Sequence, residues 1–418
     1  MKIDTFTANH KQCLRAQVIT EGQPGTVLRE FGMLLDLIGP QGIEVGGKYN
    51  LLPLKIIGDV DERLTRPLRL KMKRPQIRSH PYLLGLSLLL RASGLVRIEK
   101  SGAKARMVLD PFMMEQWIRL NPTEQYFNLL EAWFRFGRGE MVGERGWSLR
   151  GMLSPCLELW WSLPVEGCEL DLEDPQGVYL NGVNRDFYLL ALMDLFGFLD
   201  VVHPSHPVSP WTPAGIRHRP FGDAFLSLLF AKRLAFLYGE ASSGEENEDQ
   251  DEEELGVPRF GAWQPLLQPY FSEWRENLKF PRMEPREGTF IFRVSLGKIW
   301  RTIAMPADAS LDDLADWILD SVKFDSDHLY EFIYHDQHGA KVQVRHPNMD
   351  EGPWTDEFPV GSLPLGLGEA MQFHFDFGDD WRFTVKLERI EPPGAKIKAP
   401  HILDKHGKSP SQYRWEED

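Results

Sequence analysis

Residues 82–109 read YLLGLSLLLRASGLVRIEKSGAKARMVL, a helix signal followed at once by a hairpin signal. Tyr82–Ala92 is strongly apolar and Ser93-Gly94 supplies a C-terminal stop. Leu95-Val96-Arg97-Ile98 and Ala105-Arg106-Met107-Val108-Leu109 have strand character, and Lys100-Ser101-Gly102-Ala103-Lys104 turns between them. A helix leading into a hairpin with a basic tip is the order that ends a winged helix. Upstream, Val27, Leu28, Phe31, Leu34 and Leu35 fall at helical spacing, which predicts an amphipathic helix over Val27–Leu37.

Working downstream, the pattern returns in weaker form. Tyr188-Leu189-Leu190-Ala191-Leu192 echoes Tyr82-Leu83-Leu84-Gly85-Leu86, and Gly197-Phe198-Leu199-Asp200-Val201 echoes Gly94-Leu95-Val96-Arg97-Ile98. The Tyr-to-Gly spacing is 12 residues in the first copy and 9 in the second, nearly one helical turn apart. Trp211–Gly215 and a helix from Gly222 to Tyr238 complete the second set. Two winged-helix-like units are expected, against the plainer alternative of two unrelated Leu-rich helices.

Glu240–Glu254 (EASSGEENEDQDEEE) is the sharpest boundary. It cannot bury enough apolar surface to offset the entropy of ordering, so a disordered tether is expected. Nine of the acids of a chain with formal charge −14 sit there, leaving −5 for the rest, so the global charge says little against a nucleic-acid partner. The chain has 418 residues, three dispersed cysteines (Cys13, Cys156, Cys168), no apolar run long enough to span a bilayer, and no signal-peptide pattern at Met1–Thr5. A cytoplasmic protein without a membrane partner is expected.

After the tether, Phe260–Leu278 is aromatic-rich and reads as a short docking helix. From Thr289 the texture changes to alternation: Phe290, Phe292 and Val294, then a strand over Trp300–Met305. Ser310 with Asp312 and Asp313 opens a helix through Leu314, Ile318 and Leu319. Leu329–His335, Lys341–Arg345, Met371–Phe377 and Arg382–Ile390 are further strands. The fold class expected is multi-domain: a mainly α N-terminal half with winged-helix-like units, then a C-terminal α+β domain of β-β-α followed by several strands. The divisions are an arm over 1–20, units over 21–135 and 136–239, the acidic linker 240–257, a connecting helix 258–288 and the α+β domain 289–418.

Ile299-Trp300-Arg301-Thr302-Ile303 with Pro306, Leu311 with Leu314 and Ile318, Asp327-His328-Leu329-Tyr330-Glu331-Phe332, and Phe377-Gly378-Asp379-Asp380-Trp381 occur in that order. Together they resemble the plasmid pRiA4b ORF-3-like family over about Thr289–Asp418. The resemblance makes Trp300, Arg301, His328, Gly378, Asp379, Asp380 and Trp381 its motif residues. It implies an association with plasmids and mobile elements, and no assigned activity. Relatives often end in a Cys-Pro-Pro-Glu-Asp segment, whereas this chain ends through Gly407-Lys408-Ser409-Pro410-Ser411-Gln412-Tyr413, so no role of that tail transfers.

Two chemistries compete. Asp376, Asp379 and Asp380, with His374 and His328 near, are candidate oxygen ligands for a divalent metal, which would permit metal-assisted phosphodiester hydrolysis. In that reading His328, Asp379 and Asp380 are the candidate catalytic residues. The plainer reading makes Gly378-Asp379-Asp380 a tight turn with Gly378 at positive φ and the acids paired to Arg301 or Arg382. Phe373, Phe375 and Phe377 are expected on one strand face, Gln372, His374 and Asp376 on the other. In the front half, Thr65–Arg78 holds six Lys or Arg and no acid. Lys71, Lys73 and Arg74, with Arg97, Lys100, Lys104 and Arg106 on the hairpin, are candidate phosphate contacts, with DNA as the candidate partner and a protein partner as the alternative. No Walker A, GxGxxG, GxSxG or HExxH motif is present, and a non-enzymatic adaptor or regulator is the leading expectation.

Overall fold

The structure is a computed structural model and describes residues 6–70, 72, 76–101, 104–144, 153–164, 167–169, 187–204, 211–231, 260–281, 284–336, 338–350, 352–395 and 399–413. The expected acidic tether and the cations Lys71, Lys73 and Arg74 lie outside these residues. The chain forms two compact units, Met1–Phe280 and Pro281–Asp418. Helices concentrate in the first, and a seven-stranded sheet organises the second.

The first unit starts with α1 (Ala8–Ala16), where an arm was expected; Thr7 and His10 form its capping box and Leu14 is buried. There follow α2 (Val27–Ile38), β1 (Ile43–Val45), α3 (Leu54–Asp61), α4 (Pro81–Ala92), β2 (Val96–Ser101) and β3 (Lys104–Leu109), whose strands pair in the order β1-β3-β2. α5 (Pro111–Trp117) and α6 (Pro122–Phe136) come next. The pattern then recurs with α7 (Leu153–Ser162), β4 (Cys168–Glu169), α8 (Phe187–Leu195), β5 (Leu199–Val202) and β6 (Gly215–His218), in the equivalent order β4-β6-β5. α9 (Pro220–Ala231) packs on α1, and the one-turn α10 (Gln264–Leu267) lies in the aromatic stretch.

The two Leu-rich helices, α4 and α8, pack on each other. Gly85 lies at this contact: a Cβ there would stand 2.8 Å from Leu192 Cγ and 3.1 Å from the Tyr188 carbonyl oxygen. All twelve residues of α4 are buried. A helix apolar on every side belongs in a core, and this one is fully enclosed. One polar cluster ties the same pair. The Tyr82 hydroxyl donates to Asp194 Oδ2 at 2.7 Å, and the Arg66 guanidinium pairs with that carboxylate. Tyr82 also lies 3.0 Å from His203 Nε2. Burial, then the Arg66 charge, push the His203 pKa down to about 4, so its ring is neutral at pH 7.

In the second unit β7 (Thr289–Leu296) and β8 (Ile299–Pro306) form a hairpin, then α11 (Leu311–Val322) crosses the sheet. β9 (Tyr330–His335), β10 (Lys341–Arg345), β11 (Ala370–Phe375), β12 (Trp381–Glu391) and β13 (His401–His406) complete it. The order is β10-β9-β11-β12-β7-β8-β13, antiparallel throughout. Ser310 and Asp313 make a reciprocal cap that starts α11. Leu314 and Ile318 of α11 pack in one core with Phe292, Ile303, Phe332 and Phe373. Strand alternation therefore leaves Arg293, Glu331, Gln372, His374, Arg382 and Thr384 on the opposite face.

Candidate functional site

The motif turn between β11 and β12 is where the sequence concentrates acids and histidines, and its geometry follows from one residue. Asp376 is 8% exposed and leaves the strand at φ 52°, in the left-handed region. Its Oδ1 accepts from the Gly378 N–H at 2.9 Å and the Asp379 N–H at 3.2 Å, while its carbonyl accepts from the Asp380 N–H at 2.7 Å. Asp380 is the second left-handed residue, at φ 56°. The positive φ expected at Gly378 thus falls on the aspartates on either side, because Asx side chains support that conformation with local bonds. The reversal also moves Phe377. Instead of joining Phe373 and Phe375 in the core, it is 42% exposed and sits edge-on to His374, with centroids 4.8 Å apart.

Two histidines flank the turn, each beside two carboxylates. His328 Nε2 lies 3.5 Å from Asp376 Oδ2 and 3.7 Å from Asp327 Oδ1, and its ring is partly exposed. His374 is buried, with Nδ1 3.5 Å from Glu331 Oε1 and Nε2 2.9 Å from Asp380 Oδ1. The second approach lacks hydrogen-bond alignment. Arg382 Nε donates to Asp380 at 2.7 Å, and Gln343 Nε2 to Glu331 Oε2 at 2.6 Å. Glu331 entered the sequence reading only within the stretch Asp327–Phe332. Its meeting with His374 depends on the register of β9 against β11, which pairs the two residues directly.

Asp376, Asp379 and Asp380 share one turn, but Asp376 Oδ1 accepts from backbone N–H groups and the Asp380 carboxylate lies against Arg382 and His374. Among the described residues no group of three or more His, Cys, Asp or Glu is arranged to hold a metal ion. Arg301 is 3% exposed and pairs with no carboxylate among the described residues. Its guanidinium donates to the carbonyls of Ser321, Trp300 and His406 and to Ser409 Oγ, fastening the C-terminal stretch to the end of α11. Trp300 has the Arg293 guanidinium 4.0 Å from its ring centroid, and Trp381 packs in the core. Replacing Asp376 by Ala removes the acceptor for two N–H groups and leaves a Cβ residue at positive φ. A loss of about 1–2 kcal/mol is expected in urea unfolding of the full chain, with Asp376→Asn close to wild type.

The hairpin cations are dispersed in their commitments. Arg97 pairs with Glu99 at 2.8 Å and Asp110 at 3.3 Å. Arg106 donates to the carbonyls of Gln41 and Gly42. Lys104 is exposed, and Lys100 lies in β2. Three further cations of the basic stretch are also paired: Arg66 with Asp194, Arg69 with Glu62 and Arg78 with Glu144.

Residues 292–412 match the model of the family described as plasmid pRiA4b ORF-3-like protein. No curated protein matches the chain. Among solved structures, a protein of unknown function from Methanosarcina mazei Go1 is similar at 22% identity, covering 30% of this chain and 72% of that one, with a TM-score of 0.26.

Proposed function

We propose that this chain is a non-enzymatic adaptor: two winged-helix-like units, joined helix to helix, form its front half, and its C-terminal α+β domain binds a ligand, protein or strand. The recurring order of helix, strand, helix and hairpin, with the first strand beside the third, supports the winged-helix-like reading. The observation that carries the adaptor reading is the enclosure of α4. A winged helix that reads a duplex lays the helix before its hairpin in the groove, and here that helix is buried along its whole length. Phosphate contact would then fall to the hairpin, where Arg97 and Arg106 already have acceptors. Asp376 holds the backbone of the motif turn and Asp380 pairs with Arg382, which favours a binding surface over a metal-dependent phosphodiesterase.

Anisotropy of a labelled duplex titrated with the full chain, from about 50 to about 200 mM salt, tests the reading. No saturable binding at micromolar protein is expected. Tight binding with a steep salt slope, flattened by alanine at Lys71, Lys73, Arg74 and Lys104, would transfer the front half to DNA recognition. Added Mn²⁺ is expected to leave the melting temperature unchanged. A rise that disappears in a folded Asp379→Ala, Asp380→Ala variant would instead support the hydrolase.

A further inference from the structure

Val45–Leu51 reads VGGKYNL, two glycines and an asparagine that reverse the chain straight after β1. Gly47 and Asn50 run at positive φ, 70° and 50°, and Gly46 and Leu51 exchange N–H and carbonyl groups at 3.1 Å. Arg91 of the enclosed α4 fastens this loop to another. Its guanidinium, 9% exposed as a residue, donates to the Tyr49 carbonyl at 3.1 Å and to the Met141 carbonyl. The turn after Met141 ends at Gly143, whose φ of 85° lays its backbone on the Tyr49 ring; a Cβ there would stand 2.6 Å from Tyr49 Cε2. Arg78 holds the same turn, donating to the Gly143 carbonyl at 2.7 Å and pairing with Glu144. Between these two loops and the start of α3 lies a cleft of about 630 Å³. Val45, Leu52, Ile77 and Val142 line it and are buried, and Leu54, 56% exposed, lies at its rim.

A preformed apolar cleft of this volume, with a few polar groups at its edge, has the form of a small-molecule site. The charges of its lining decide the sign of the ligand. Glu44 sits opposite Arg106 in the register of β1 on β3, and Arg78 is committed to Glu144. Lys55, exposed at the first turn of α3, has no ion pair among the described residues. Pro53 precedes that turn and offers no side-chain acceptor, so the positive end of α3 opens on the same wall as Lys55. The uncompensated charge is therefore positive, beside an apolar interior. We propose that this cleft binds a small amphipathic carboxylic acid, its apolar body against Leu52, Ile77 and Val142 and its carboxylate toward Lys55. The site does not depend on the adaptor reading, because it lies wholly within the first unit. Its walls need no rearrangement to receive the ligand, since Arg91 and Arg78 already fix them.

Anilinonaphthalene sulfonate, an apolar anion that fluoresces once shielded from water, serves as the probe on the full chain. It is expected to bind saturably, and octanoate at millimolar concentration to displace it. Octanol, of the same length and without charge, should compete about threefold less well. Lys55→Gln should bring octanoate down to the level of octanol and leave octanol unchanged, and Lys55→Arg should restore the difference. Leu54→Asp should weaken both competitors about tenfold. Leu54 and Lys55 are exposed, so the urea midpoints of these variants should stay at the wild-type value. Equal competition by octanoate and octanol in the wild type would overturn the anionic ligand. Displacement indifferent to both Leu54→Asp and Lys55→Gln would put the probe elsewhere and overturn the site, as would no displacement at all. Should Leu54→Asp not fold, the Lys55→Gln and Lys55→Arg comparison decides alone.

Discussion

Asp194→Ala loses about 3 kcal/mol of stability, read as a lower urea midpoint for the full chain. The carboxylate is 2% exposed at its side chain and accepts from Arg66 and the Tyr82 hydroxyl, with the Val201 N–H at 3.4 Å. Burial raises its pKa, and Arg66 and Tyr82 pull it back toward the charged form. Removing one partner of a fully buried pair costs about 3–5 kcal/mol; the Arg66 side chain is 46% exposed and regains some water, so the lower end applies. Asp194→Asn keeps an acceptor for Tyr82 and should lose about half as much. A loss below about 1 kcal/mol for the alanine variant would mean that apolar packing alone joins α4 to α8.

Glu131 has the second large effect, and it depends on pH. Its carboxyl lies in α6, with Oε1 accepting from the Gly261 N–H at 2.8 Å. Burial pushes its pKa up to about 7, against bonds from Gly261 and its neighbours and the Arg135 charge, which lower it. The folded carboxyl therefore keeps its proton over a range where the unfolded one has released it. Stability from this group is full below the unfolded value of 4.5, falls as pH rises from 4.5 to about 7, and is flat above. The drop is about 3 kcal/mol. Glu131→Gln keeps the oxygen that accepts from Gly261 and has no charge to bury. Relative to wild type it should be close at pH 4.5 and about 3 kcal/mol more stable at pH 8, measured by urea unfolding along a pH series. Parallel pH profiles for the two proteins would show that the carboxylate is as well solvated folded as unfolded.

Local signals carried much of this architecture. Alternation at Phe290, Phe292 and Val294 and the cap at Ser310 led to strands and a helix at the expected places. β13 was missed because five of the six residues of His401–His406 are exposed, so neither face carries an apolar pattern. The enclosure of α4 was legible in Tyr82–Leu90, since a helix apolar all round signals burial, while the basic hairpin beside it drew attention toward phosphate. The seating of residues 274–280 on α5 and α6 was not legible. Glu124 and Asn128 bind backbone about 150 residues away, and a main chain leaves no imprint in its own sequence. The motif turn was found by its letters. The pairing of Glu331 with His374 required strand register, which is set by contacts distant in sequence.

The mutual burial of α4 and α8 also has a cost in time. α4 ends at Ala92 and α8 begins at Phe187, so about 95 residues must leave the ribosome before the partner helix exists. At about 5–20 residues per second, that leaves roughly 5–20 seconds in which a largely apolar helix has been made and its partner α8 has not. The nascent front half is thus a natural client for holding chaperones, and synonymous changes that slow translation between those helices would lower the yield of folded protein without altering a single residue.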